Sequence, residues 1–207
     1  MIRVLIADDH AIVRKGLKQL LLEEYPSAII EEAGDAEDLV KKALAKEWDV
    51  VICDLSMPGR SGLDALKQLK QASPELPVLI MSMHPAEQYA LRVLKAGAYG
   101  YLSKDSIHDE LIKGVQTVLR GRKFITFSIA EKLVEVFDSD RLPHGLLSDR
   151  EFDVFKLLAS GKTVSEIADQ LSLSANTVST YRSRTLEKMN MRTNAELVRY
   201  ALEKKLI

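Results

Sequence analysis

The chain has 207 residues, long for one ordinary domain and comfortable for two. Its 29 basic and 30 acidic residues nearly cancel, so overall charge does not mark a partner of polyanions, and any nucleic-acid surface must be local. The single cysteine excludes an internal disulfide, and the N-terminal apolar run, residues 4–7, is far short of a signal-peptide core or a membrane span. A soluble, cytoplasmic chain with no membrane partner is expected.

Short apolar runs at 4–7, 29–30, 50–53, 78–81 and, more weakly, 99–102 alternate with amphipathic stretches at 12–22, 36–46, 63–71, 87–96 and 109–119. Runs that are continuously apolar predict strands covered on both faces, as in a parallel sheet between helices. Strict strand-helix alternation implies right-handed crossovers and a doubly wound α/β fold. Cys53 sits in the third run and reads as a buried strand thiol. Asp35 is placed to cap the second helix, with Asp38 at its third position in a capping-box-like arrangement.

After Gly121 the alternation stops. Residues 124–137 read as an amphipathic segment, and the polar, Pro- and Gly-containing stretch 138–145 marks a domain boundary. From Leu147 onward no strand-like run occurs, and four short helices are expected at 149–159, 164–171, 175–189 and 194–204. The predicted organisation is an α/β domain over 1–120, a linker over 121–143 and an all-α four-helix domain over 144–207.

In an open α/β sheet, functional groups gather just beyond the carboxyl ends of the strands. Asp8 and Asp9 follow the first strand and Asp54 the third, which are neighbours in a flavodoxin-like five-stranded order 2-1-3-4-5. Three converging carboxylates repel unless something positive joins them. A hard divalent cation such as Mg²⁺ suits an oxygen-rich set, and a neighbouring aspartate can attack a phosphoryl group. The Ser82 hydroxyl and the Lys104 ammonium, after the fourth and fifth strands, supply a donor and a cation for the product. Taken singly each residue has a plainer reading, as a turn, a cap or a surface charge; one suitable residue at each of four strand ends reverses the odds.

These residues carry a resemblance. Ala7-Asp8-Asp9-His10, Cys53-Asp54-Leu55-Ser56-Met57-Pro58-Gly59, Ser82 and Gly100-Tyr101-Leu102-Ser103-Lys104 together resemble a response-regulator receiver domain, a family whose strand order is a standard example of this topology. The resemblance implies that Asp54 accepts a phosphoryl group from a sensor histidine kinase. It implies that Asp9, Asp54 and the Ser56 backbone carbonyl hold Mg²⁺, with Asp8 acting through water. Ser82 and Lys104 would bind the phosphate, and Tyr101 would turn inward behind Ser82. Asp105 departs from the common pattern, where proline is frequent, and Met83 is bulkier than usual; Met83 and His84 are expected to slow the attack of water on the phosphorylated site. A phosphohydrolase with an aspartyl nucleophile would want a second aspartate at the place of Ser56, so slow self-dephosphorylation is the only enzymatic activity expected. A phosphate-independent dimerisation scaffold conflicts with the intact acidic, hydroxyl and lysine set.

In the C-terminal part, Val164, Ile167, Ala168 and Leu171 form one apolar face, Ser172-Leu173-Ser174 interrupts it, and a second helix follows whose small and polar residues exceed what a core needs. That is the pattern of a helix-turn-helix. Between Ser174 and Arg192, Arg182, Arg184, Lys188 and Arg192 stand against Glu187 alone, a modest local excess. Leu147-Ser148-Asp149-Arg150-Glu151-Phe152-Asp153-Val154-Phe155 resembles the opening of a LuxR-type domain. Gly161-Lys162-Thr163-Val164-Ser165-Glu166-Ile167-Ala168, Leu173-Ser174-Ala175-Asn176-Thr177-Val178 and Leu186-Glu187-Lys188-Met189 continue it in register.

The whole chain thus resembles a NarL/FixJ-type response regulator of a two-component system. That implies Val178 and Met189 packed inward, with Ser179, Thr180 and Ser183 facing base edges. Thr163, Asn176, Thr177, Arg182, Arg184 and Lys188 would contact phosphates of double-stranded DNA, which positions rather than specifies. Lysine is common in the family at the places of Ser179 and Ser183, so more specificity would fall to DNA shape and water. Leu197, Val198 and Ala201 on the last helix would serve dimerisation, with packing in their own domain as the alternative. A phosphorylation-dependent homodimer on two half-sites, with RNA polymerase as a further partner, completes the expectation.

Overall fold

Five apolar runs become strands β1 (Arg3–Ala7), β2 (Ile29–Ala33), β3 (Val50–Asp54), β4 (Val78–Ser82) and β5 (Gly100–Ser103). In this computed structural model, which describes residues 1–84, 86–127, 129–131 and 142–207, they form one parallel sheet in the order β2-β1-β3-β4-β5. Every residue of β3 and β4 is buried, as a continuous apolar run demands of a strand with helices on both faces. β2 lies at an edge and is only partly buried; Glu31 and Glu32 interrupt its apolar character, and charge on an edge strand discourages pairing with another chain. β5 begins one residue later than its apolar run suggested and includes Ser103.

The crossovers are α1 (Ala11–Glu24), α2 (Ala36–Ala45), α3 (Gly62–Ala72), α4 (Ala86–Lys95) and α5 (Ile107–Leu119). On one face of the sheet Val4, Ile6, Val50, Ile52, Leu79, Met81 and Leu102 meet Leu17 and Leu21 of α1 and Leu111, Val115 and Val118 of α5. The alternate strand residues, Leu5, Val51 and Ile80, are fully buried on the other. Each such side chain contributes roughly 1.5–3 kcal/mol relative to exposure. Asp35 caps α2 by accepting the Asp38 N–H at 2.8 Å, but the reciprocal half of the box is absent because the Asp38 carboxylate pairs with Lys42 one turn on. Cys53 is fully buried and burial pushes its thiol far up, as expected of a core cysteine.

Beyond α5 the chain returns to the sheet. The Phe124 N–H donates to the Tyr99 carbonyl at 2.7 Å, forming a single parallel bridge between Phe124 and Gly100. The contact requires glycine: a Cβ at Gly100 would stand 2.6 Å from the Phe124 carbonyl oxygen. Apart from Phe124 to Phe127 and residues 129–131, the amphipathic segment expected at 124–137 lies outside the described residues.

Two compact units divide the chain, within Met1–Leu133 and Val134–Ile207. Among its described residues the second is all helical, with α6 (Asp149–Ala159), α7 (Val164–Leu171), α8 (Ala175–Lys188) and α9 (Asn194–Glu203), preceded by a 3₁₀ turn at Pro143–Leu146. Phe152, Phe155, Leu158, Ile167, Val178 and Leu197 are among its buried apolar residues. Ser148 and Thr163 start α6 and α7 through complete capping boxes with Glu151 and Glu166.

Candidate functional site

Sheet register collects the acidic residues. Ala7 pairs with both Ala33 and Cys53, which sets Asp8 beside Asp54, while Asp54 pairs with Met81 and Ser82 with Ser103. The carboxyl ends of β1, β3, β4 and β5 therefore present Asp8, Asp54, Ser82 and Lys104 side by side. Asp8, Asp54 and Ser82 are at most 2% exposed, in a chain whose other buried polar residues are few among those described.

Lys104 binds the cluster together. Its Nζ lies 2.7 Å from Asp8 Oδ2 and 3.1 Å from Asp54 Oδ1. Burial works against the Lys104 ammonium, but the Asp8 hydrogen bond and the charges of Asp54 and Asp8 outweigh it, so its pKa is raised. Burial is also the largest influence on Asp54; Lys104 opposes it and Asp8 reinforces it, leaving the Asp54 carboxyl above the usual range. The β3–α3 turn depends on Gly62, whose N–H donates to the Leu55 carbonyl at 2.9 Å. A Cβ there would lie 2.0 Å from the Asp54 carbonyl oxygen, so only glycine lets α3 start this close to the acceptor.

Asp8 and Asp54 share this one ammonium, and Asp9 adds a third carboxylate next in the chain, so negative charge predominates at the mouth. Asp9 Oδ1 is buried and receives no hydrogen bond of good geometry, although His10 Nδ1 lies 2.7 Å away. An oxygen set of this charge, with one orphaned carboxylate oxygen, fits a hard divalent cation. The orphan lies beside His10, which joins Asp8 and Asp9 in a group whose ligand-type atoms all fall within 4.8 Å of one another.

A second constellation surrounds His84. The Ser82 hydroxyl accepts the His84 N–H at 2.9 Å, and the His84 carbonyl accepts the Tyr101 hydroxyl at 2.6 Å. Its ring lies 3.0 Å from the Ser56 hydroxyl through Nε2 and stacks on Tyr89 of α4, centroids 4.9 Å apart. The β3–α3 and β4–α4 loops are thereby joined. Tyr101 is 1% exposed, and burial pushes its phenol up to about 12, so it stays a neutral hydrogen-bond donor. Met83, grouped with His84 as a screen against water, is instead 63% exposed.

In the second unit, Ser172 takes a left-handed conformation (φ 52°) at the end of α7, and the Leu173 N–H returns to the Ala168 carbonyl at 2.8 Å. Ser174 then caps α8 by accepting the Thr177 N–H at 3.1 Å. Val178 and Met189 pack inward, at 0% and 3% exposure, while Asn176, Ser179, Thr180, Ser183 and Arg184 are exposed.

Several expected phosphate contacts have partners inside the unit. Arg182 Nε donates to Asn194 Oδ1 at 2.7 Å, and Lys188 Nζ donates to the buried Glu151 carboxylate at 2.7 Å. The Thr163 hydroxyl is spent on the Glu166 capping box, and the Thr180 hydroxyl, expected at a base edge, donates back to the Asn176 carbonyl. The Arg184 side chain makes no hydrogen bond or ion pair among the described residues. Leu197 and Ala201, expected at a dimer face, are both 0% exposed and belong to the core of their own unit. Their spacing on one side of an amphipathic helix is what packing against α6 requires, and α9 is in contact with α6. Val198 is half-buried, and the exposed large apolar residue of this helix is Leu202, at 61%.

Sequence patterns do not single out Arg14, Glu32 or the Glu151–Lys188 pair. A basic residue in the first turns of α1, where acidic ones are favoured, is the one signal available for Arg14.

Residues 4–116 match the response regulator receiver domain family, and residues 145–201 match the luxR family of bacterial regulatory proteins. The chain is 36% identical to the oxygen regulatory protein NreC of Staphylococcus carnosus over 99% of both chains. It is 33% identical to the response regulator UvrY of Escherichia coli over 98% of this chain and 94% of the relative. Among solved structures, the RcsB response regulator of Salmonella typhimurium aligns over 96% of both chains with 28% identity and a TM-score of 0.70. RcsB bound to promoter rprA in the presence of phosphomimetic BeF3- aligns over 97% and 98% with 26% identity and a TM-score of 0.65. The chain belongs to the response regulators, as a receiver domain followed by a LuxR-family regulatory domain.

Proposed function

We propose that this protein is a transcription factor switched by phosphorylation of Asp54, and that the C-terminal unit reads double-stranded DNA through α8. The observation that carries the reading is the convergence of Asp8, Asp54, Ser82 and Lys104 at one end of the sheet. A carboxylate oxygen of Asp54 attacks the phosphorus of a phosphohistidine on a sensor kinase; the P–N bond breaks as the O–P bond forms. Lys104 neutralises the oxygens of the transferred group, and the Ser82 hydroxyl donates to one of them.

Asp9, Asp54 and the Ser56 carbonyl would hold Mg²⁺, with Asp8 contributing through water. When bound, the ion supplies charge neutralisation for the phosphoryl oxygens. Ser82 is tied to the His84 backbone, whose carbonyl holds Tyr101, so a hydroxyl drawn to phosphate pulls on both. The bistable element is then the His84 loop with Tyr89 and Tyr101, next to α4. The His84 ring, bridged to Ser56, restricts the approach of water to the acceptor.

At the DNA end, Ser179, Thr180, Ser183 and Arg184 form the exposed face of α8, with Asn176 and Thr177 at its start. RcsB supports the reading as a relative solved with DNA. Dimerisation through the exposed side of α9, around Val198 and Leu202, matches two half-sites. Acidic residues are as many as basic ones over the whole unit, so base-edge and shape recognition carry more than bulk charge.

The test is to treat wild type and Asp54→Asn with acetyl phosphate and Mg²⁺. Incorporated phosphate is followed on phosphate-affinity gels, and DNA binding is then measured on duplexes selected from a random pool. Labelling and tighter binding are expected in wild type only; equal labelling of Asp54→Asn, or binding unaffected by phosphate, overturns the proposal. Arg184→Ala is expected to lower the salt slope of binding by about one.

A further inference from the structure

We propose that Arg14, supported by Glu32, is a positioning residue for the carboxylates that hold the divalent cation. The proposal rests on the reading of Asp54 as a metal-assisted phosphoacceptor. Arg14 lies in α1 and is 17% exposed; its Nη1 donates to the Asp8 backbone carbonyl at 2.7 Å and its Nε to Glu32 Oε2 at 3.1 Å.

The other polar atoms of Asp8 are fixed as well. Its N–H donates to the Ala33 carbonyl at 3.3 Å, Oδ1 accepts from the His10 N–H at 2.8 Å, and Oδ2 accepts from Lys104 at 2.7 Å. The carbonyl gripped by Arg14 belongs to the peptide that joins Asp8 to Asp9. Its plane fixes the N–Cα bond of Asp9, the base from which that side chain departs. Asp9 Oδ1 is buried and has the ring of the next residue, His10 Nδ1, 2.7 Å away but no hydrogen bond, so both it and that neighbour depend on the path of the loop backbone.

Glu32 is held in turn. Lys18 Nζ lies 3.7 Å from its Oε1, and Lys42 Nζ donates to its carbonyl at 2.6 Å. The Arg14–Glu32 pair therefore grips the acidic loop without adding net positive charge beside the carboxylates. Lysine could not replace this arginine: a single ammonium is a point donor, whereas the planar guanidinium reaches the carbonyl and the carboxylate from different nitrogens. Partners that orient metal ligands typically change affinity by about 10–100-fold when removed.

The experiment titrates Mg²⁺ calorimetrically into full-length wild type, Arg14→Gln, Arg14→Lys and Glu32→Gln, and records each thermal midpoint in EDTA. Arg14→Gln is expected to weaken Mg²⁺ binding by about tenfold or more, and Arg14→Lys to restore less than half of that loss on a logarithmic scale. Glu32→Gln is expected to weaken it too, because Arg14 then keeps an uncompensated charge near the site. A merely structural ion pair would lower the EDTA midpoint and leave Mg²⁺ affinity unchanged, which overturns the proposal. If Arg14→Gln fails to fold, unchanged affinity in Arg14→Lys overturns it equally. Wild type that binds no Mg²⁺ overturns the phosphoacceptor reading, whereas wild-type binding matched by the Arg14 variants overturns only this inference.

Discussion

Replacing Asp54 by asparagine is expected to stabilise the receiver domain. Asp54 is 2% exposed and shares the Lys104 ammonium with the fully buried Asp8, so two buried carboxylates compete for one cation. Its raised pKa means that the folded protein binds the Asp54 proton more readily than the unfolded chain does. Ionised Asp54 therefore lowers stability at neutral pH, and that cost disappears as pH falls through the raised folded value. Asparagine has the same size and no charge, and it leaves the Lys104–Asp8 pair at 2.7 Å in place. Neutralising one of the two carboxylates is worth ~1–2 kcal/mol at about pH 7. For a domain of this size that raises the midpoint by ~3–6 °C.

Trp48 is the only tryptophan, is 7% exposed and lies in the receiver unit, so its emission follows this unfolding separately from the helical unit. The gain should close as pH falls through the Asp54 pKa and be absent below about pH 4, the ordinary carboxylate value. Saturating Mg²⁺ should narrow it from the other side, by stabilising wild type. A variant that melts at or below wild type near neutrality refutes the reasoning, as does a gain that persists undiminished in acid.

Three further outcomes are expected. Glu151→Ala removes the partner of Lys188 and half of the α6 capping box; because Lys188 is 42% exposed and can be rehydrated, the loss is about 2–3 kcal/mol. It should appear in the far-ultraviolet dichroism transition and not in Trp48 emission. In wild type, burial works against the Glu151 carboxylate, but the Lys188 and Ser148 hydrogen bonds outweigh it and lower its pKa. The stability it contributes is thus present above the ordinary glutamate value and lost as pH falls through the lowered one. His84→Ala should shorten the lifetime of phosphorylated Asp54 severalfold, read by decay on phosphate-affinity gels, whereas Met83→Ala, at a side chain 63% exposed, should leave it unchanged; equal lifetimes in all three proteins would remove the screening role. Gly62→Ala should lower receiver stability by about 2–3 kcal/mol in a Trp48 melt and impair labelling at Asp54, since the added carbon meets the Asp54 carbonyl.

Patterns local in the chain are legible from residue order alone. Val50-Val51-Ile52-Cys53-Asp54 announces a buried strand ending in a carboxylate, because a strand covered on both faces has no polar position until it leaves the sheet. The α6, α7 and α8 starts are legible for a similar reason: Ser148, Thr163 and Ser174 bond to backbone three residues on. Leu197 and Ala201 show the limit. An apolar face at helical spacing says that something covers it, not whether the cover is a neighbouring helix or a second chain.

The sequence by itself determined the alternation and the set of acceptor, hydroxyl and lysine at successive strand ends, since each depends on periodicity or on position along the chain. Only tertiary structure decided which side chains are engaged. Lys104 meets Asp8 across 96 positions, Lys188 meets Glu151 across 37, and Arg14 grips a carbonyl that carries no sequence signature. Long charged side chains can reach many partners from the same backbone, so composition and spacing leave their choice open. Packing makes that choice, by burying Glu151, Asp8 and Asp54 where one cation each, or one shared, is within reach.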